Sequence, residues 1–184
     1  MLYMEKTIEY KGILINLRAS AAVMIVYKEQ FGVEYTDDFN GAVKDPVKAV
    51  SVGYRLLWAM AKCADDTIPD PDVFFDGLGD DFDLLGAVDI AAELMRKSLG
   101  EFAVCDAENT DKGAEAETDG DLSERLAASA LRCGFSIADL NRISVGFLLR
   151  CINTNLAGRQ QSGGDNVKIA DENDIAHFLD FFGG

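Results

Sequence analysis

TIEYKGILINLRASAAVMIVYKEQFG, residues Thr7–Gly32, is the stretch that sets the fold. Two runs of β-type residues, Thr7–Tyr10 and Ile13–Leu17, flank Lys11-Gly12, a pair suited to the turn of a hairpin. A helix over Ala21–Phe31 follows at once. Ser20 stands at its capping position, Met24, Tyr27 and Phe31 fall along one side, and Gly32 sits where a helix stops. A two-stranded hairpin is marginal in water unless its apolar face is covered, so the helices that follow must pack on it. The unit is a scaffold and carries no chemistry.

Working outward, VEYTDDFNGAVKD (Val33–Asp45) is rich in Asp and Gly and reads as a loop or a short irregular turn. Asp45 then caps a helix that opens on Pro46 and runs to about Ala64. Along it Val47, Val50, Tyr54, Leu57, Trp58 and Ala61 recur at three- and four-residue steps as one apolar stripe. Its Val, Leu and aromatic members are worth roughly 1.5–3 kcal/mol each on burial, before entropy is subtracted. This stripe, packed on the hairpin and first helix, is the expected main core. DDTIPDPD (Asp65–Asp72) breaks the pattern, and a short segment, Val73–Leu78, carries Phe74, Phe75 and Leu78. A helix from about Phe82 to Leu99 follows, with Leu84, Val88, Ala91, Ala92, Met95 and Leu99 as its stripe and Gly100 closing it. Asp81 and Asp83 lie near its positive end, Arg96 and Lys97 near its negative end.

DAENTDKGAEAETDGD (106–121) contains no large apolar side chain and reads as a solvated linker and domain boundary. Beyond it, Leu122, Leu126, Ala130 and Cys133 space as a helix ended by Gly134. Ser136 caps a short helix (Ile137–Arg142), and Ser144 caps another from Val145 to about Leu156. Three short helices hold little core alone, so they dock on the first domain or on a partner. GRQQSGGDN (from Gly158) reads as a flexible connector. It leads to an amphipathic helix, Asp171–Phe182. The expected organisation is a hairpin-plus-helical main domain (1–100), an acidic linker (101–121), a three-helix segment (122–157) and a connector with terminal helix (158–184). The fold class is α+β, predominantly α-helical, with an N-terminal β-hairpin packed on a helical domain and a small helical appendage. Two apolar faces are candidates for partner contact, from amphipathicity: Leu140, Phe147, Leu148, Leu149 and Ile152, and the terminal Ile175, Phe178, Leu179 and Phe182. Either set could equally pack on its own domain.

Over 184 residues, 17 Lys and Arg against 32 Asp and Glu give a formal charge of −15. Such a balance argues against nucleic acid or an anionic membrane as partner, since both demand a basic face. It favours solubility and neutral or basic protein partners. No apolar run approaches the ~20 residues of a membrane span, and the N-terminus lacks the apolar core of a signal peptide, so a cytoplasmic location is expected. Cys63, Cys105, Cys133 and Cys151 show no paired spacing and read as small side chains in a reducing compartment. His177 is the only histidine, with no cysteine close by in sequence, and reads as a packed or surface residue.

Catalytic patterns are missing. DGLGDDFD (Asp76–Asp83) puts Leu78 and Gly79 where a calcium loop needs oxygen ligands. There is no G-x-S-x-G elbow and no glycine-rich phosphate loop. Glu9-Tyr10-Lys11 precedes Pro69-Asp70, the wrong order for a PD-(D/E)xK nuclease. No catalytic residue, metal or cofactor is expected, and the chain reads as a non-enzyme.

Two stretches together resemble the tail assembly chaperones of long-tailed bacteriophages. LINLRASAAVMIVYKEQFG (Leu14–Gly32) is similar to their opening, followed by VGYRLLWAMAKCAD (Val52–Asp65) and the acidic, Phe-containing PDVFFDGLGD (Pro71–Asp80). GFSIADLNRISVGFLLRCINTNL (Gly134–Leu156) is similar to their downstream portion. The likeness spans about residues 7–100 and 122–157, and it rests on the order and spacing of the motifs. It implies a cytoplasmic assembly factor that coats the apolar tape-measure protein, keeps it soluble and helps recruit the tail tube protein. It also implies absence from the finished virion and no catalytic residues; a homo-oligomer is compatible with it. Two other readings stand beside it: a structural tail or neck component retained in the particle, and an acidic protein-binding regulator.

Overall fold

A computed structural model describes residues 3–42, 45–79, 81–103 and 122–160. Strands β1 (Met4–Tyr10) and β2 (Ile13–Ala19) pair antiparallel, Tyr10 opposite Ile13 and Met4 opposite Ala19. Lys11 and Gly12 both have positive φ (47° and 79°), as a two-residue type I′ turn requires. The pleat sends Ile15, Leu17 and Ala19 inward, with Ile8 and Met4 packed against the core from β1. The outer face carries polar cross-strand pairs: Arg18 on Glu5 at 2.7 Å and Thr7 Oγ1 on Asn16 Oδ1 at 2.8 Å.

Helix α1 (Ala22–Phe31) ends on Gly32 at φ 69°, whose N–H donates to the Lys28 carbonyl. Its start departs from expectation. Ser20 does not cap it; the position before the helix is Ala21, without a side-chain cap. Fully buried, Ser20 instead donates its hydroxyl to Asn141 Oδ1, 3.1 Å away. Val33–Asp45, expected as a loop, holds a helix, α2 (Tyr35–Ala42). Its composition is poor for a helix, and its buried side chains hold it: Tyr35 stacks edge-on against Tyr27, and Asp38 accepts from Tyr27.

Helix α3 (Pro46–Ala64) is capped by Asp45, which accepts from the Val47 and Lys48 amides. The expected stripe holds only over its later turns: Leu57, Trp58 and Ala61 are buried, whereas Val47 is 82% exposed and Val50 also faces solvent. Helix α4 (Pro71–Leu78) buries Phe74 and Leu78, and α5 (Leu84–Ala103) buries Ala91, Met95 and Leu99 but exposes Ala92. α5 runs through Gly100 and three residues into the stretch assigned to the linker. A methyl group at Gly53 would overlap Val88, so that glycine sets how closely α3 approaches α5.

Helices α6 (Leu122–Arg132), α7 (Ile137–Leu140) and α8 (Val145–Gln160) pack on the rest, α8 against α5 and α6 against α1. Ser136 and Asp139 form a reciprocal capping box on α7, and Ser144 Oγ accepts from the Phe147 amide to cap α8. The hairpin, α1 to α5 and α6 to α8 share one hydrophobic core. The architecture is thus α+β, mostly helical, with the N-terminal hairpin packed on helices. Of the linker, only its first three residues fall within the described residues; the terminal helix lies outside them.

Candidate functional site

The first face proposed for partner contact is committed to the core. Leu140, Leu148, Leu149 and Ile152 are each at most 2% exposed, packed beneath α5 and α6. Phe147 is half-buried, edge-on to Phe135 at 6.4 Å. Amphipathicity identified an apolar face correctly, but the chain's own helices cover it. Ile175, Phe178, Leu179 and Phe182 lie outside the described residues, as do His177 and Cys105.

A polar cluster built on the buried Tyr27 and Asp38 sits between α1, α2 and α3. The Tyr27 hydroxyl donates to Asp38 Oδ2 at 2.7 Å, the Arg55 guanidinium donates to the same oxygen at 2.5 Å, and Lys48 lies 3.6 Å from Oδ1. Burial, and then the Asp38 carboxylate, hold the Tyr27 phenol well above its ordinary range; burial does the same to Tyr35. Phe31 packs between Tyr27 and Trp58, and Arg55 lies over its ring. Every member has a partner, and the cluster fixes α2 onto α1 and α3. Among the described residues no group of His, Cys, Asp and Glu is arranged to hold a metal ion, and no helix is long and apolar enough to cross a membrane.

Among the described residues there is a groove of about 260 Å³ lined by Ile13–Asn16 of β2 and by Asp65, Ile68, Pro69, Val73, Phe74, Gly77 and Leu78. That is below the ~300–1,000 Å³ usual for a small-ligand pocket. Its far wall is fixed. The Trp58 indole N–H donates to the Pro69 carbonyl at 2.8 Å, and Lys62 Nζ donates to the Asp66 and Ile68 carbonyls at 2.6 and 2.7 Å. Asp65 accepts from both the amide and hydroxyl of Thr67, and these bonds hold its carboxyl below the usual range. Three large apolar side chains stand in water here: Ile13 at 44%, Leu14 at 64% and Val73 at 61% exposed.

The rim is acidic. Between Asp65 and Asp83 the chain carries eight aspartates and no lysine or arginine. Lys62 is held on carbonyls, as above, and Lys11 pairs with Asp81 at 2.7 Å. A sequence signal for the exposed apolar side chains existed: Ile13-Leu14-Ile15 breaks the alternation of a half-buried strand, so one of the three must face outward.

Comparison with protein-family models, with curated proteins and with solved structures found no match for this chain.

Proposed function

We propose that this chain is a non-catalytic, protein-binding assembly factor, and that its partner is the tape-measure protein of a long-tailed bacteriophage. The observation that carries the binding role is the open apolar groove with one wall formed by an acidic segment, on a chain of formal charge −15. A strongly acidic body keeps an aggregation-prone client in solution while an apolar site engages it. The phage assignment rests on the two resembling stretches. Residues of the two that lie more than a hundred positions apart meet in the fold: Ser20 bonds Asn141, and the Ala21 amide donates to the Ile143 carbonyl at 2.8 Å. That contact supports treating them as one unit. On this reading the protein works in the host cytoplasm, helps recruit the tail tube protein and is absent from the finished virion.

Co-expression with the tape-measure protein of its own genome tests the proposal. The expected result is a soluble complex of the two where the tape-measure protein alone precipitates. A tape-measure protein that stays insoluble beside abundant soluble chain contradicts it. Mass spectrometry of purified virions separates an assembly factor from a retained tail component, which would be found in the particle.

A further inference from the structure

We propose that the free edge of β2 takes up an extended, lysine- or arginine-flanked apolar segment of a partner protein as a third strand of the sheet. The inference rests on the protein-binding reading above and gives that reading a place and a chemistry.

The type I′ turn makes Tyr10 and Ile13 the first hydrogen-bonded pair of the hairpin. Antiparallel alternation then sends the N–H and C=O groups of Ile13, Ile15 and Leu17 to β1 and those of Leu14 and Asn16 away from it. No backbone hydrogen bond to Leu14 or Asn16 is made from outside the hairpin among the described residues. The groove runs along this edge, because four consecutive residues of β2 line it and none of β1 does. A strand laid there bonds Leu14 and Asn16 and sets alternate side chains against Leu14, Val73 and the Ile68-Pro69 wall. The pinned 65–69 turn makes that wall a preformed surface.

Charge selects the occupant. Asp65 lines the groove, and the segment that forms its wall adds the exposed Asp66, Asp70, Asp72 and Asp76 against the ammonium of Lys62, so a basic-flanked segment is drawn in. A second copy of the chain, pairing β2 to β2, would bring two such rims together and is repelled.

The test uses the full chain and a synthetic peptide of three valine–threonine repeats with two lysines at each end. A second peptide carries glutamates at the ends instead. Saturable binding of the first is expected, about tenfold or more tighter than the second and weakening as salt is raised. Leu14→Pro removes an amide that faces outward and leaves the ladder to β1 intact, so it should weaken binding about tenfold with an unchanged circular dichroism spectrum. Val73→Lys, on α4 and away from the hairpin, should weaken the lysine peptide by a similar factor and serves where Leu14→Pro perturbs folding. Equal binding of the two peptides, no saturable binding of either, or full binding by Val73→Lys overturns the inference. If the lysine peptide binds as stated while the tape-measure protein still precipitates, the chaperone reading fails and the edge site stands. If wild type and a folded Leu14→Pro solubilise the tape-measure protein equally, the edge site fails and the chaperone reading stands.

Discussion

Leu148, Leu149 and Ile152 on α8, and Ile13, Leu14 and Val73 around the groove, are the same kind of side chain in opposite circumstances. The first three are 1–2% exposed and held beneath α5 and α6; the second three are 44–64% exposed. Full burial of such a side chain stabilises a fold by roughly 1.5–3 kcal/mol, so α8 contributes to stability what the groove side chains forgo. The sealed face joins residues 122–155 to the hairpin and its helices in one core. At the open face, apolar contact area stays exposed. The difference teaches that an apolar face becomes a binding surface only where no other element of the same chain reaches it.

Leu149→Ala attacks the sealed side and should have the largest effect, about 2–5 kcal/mol of stability by urea denaturation. A loss below ~0.5 kcal/mol would mean that α8 is not core, and the contrast would collapse. Asp38→Ala strips the fully buried Tyr27 hydroxyl of its acceptor and should cost about 1–3 kcal/mol, with Asp38→Asn recovering part because it can still accept. The Cys63 thiol is pushed up to about 12 by burial, against 9.0 for the free group. The raised value means this contribution is complete below pH 9 and declines from there toward 12, as the unfolded thiol ionises and the folded one does not. Between pH 9 and 10 this thiol alone should account for a loss of about 1 kcal/mol, and Cys63→Ala should reduce the slope by that amount in paired denaturation curves. Val73→Ser, on the open side, should change stability by less than about 0.5 kcal/mol. A loss of several kcal/mol there would mean that the groove is part of the core.

Much of the fold was legible because it is written locally. Lys11-Gly12 specifies the turn, Gly32 and Gly134 the helix stops, and Asp45, Ser136 and Ser144 the caps, each within three or four residues of what it controls. What escaped is set by residues far apart. α2 has few local reasons to be a helix; Tyr35 and Asp38 hold it through Tyr27 and Arg55 on neighbouring helices. Ser20 has the chemistry of a cap but meets Asn141 first. Val47 belongs to the apolar spacing of α3, yet the first turns of that helix extend past the elements that cover the rest. The groove was hidden for the same reason. Its two walls, Ile13–Asn16 and Asp65–Leu78, lie about fifty residues apart, and only the tertiary fold sets them side by side.

Amide hydrogen exchange, resolved by residue, measures the open edge most directly. In the isolated chain the Ile13, Ile15 and Leu17 amides should exchange slowly and those of Leu14 and Asn16 freely. In complex with the tape-measure protein, Leu14 and Asn16 should become protected while α8 is unchanged. Leu14 and Asn16 amides already protected in the isolated chain, or still exchanging freely in a stable complex, would contradict a free β2 edge that receives the partner.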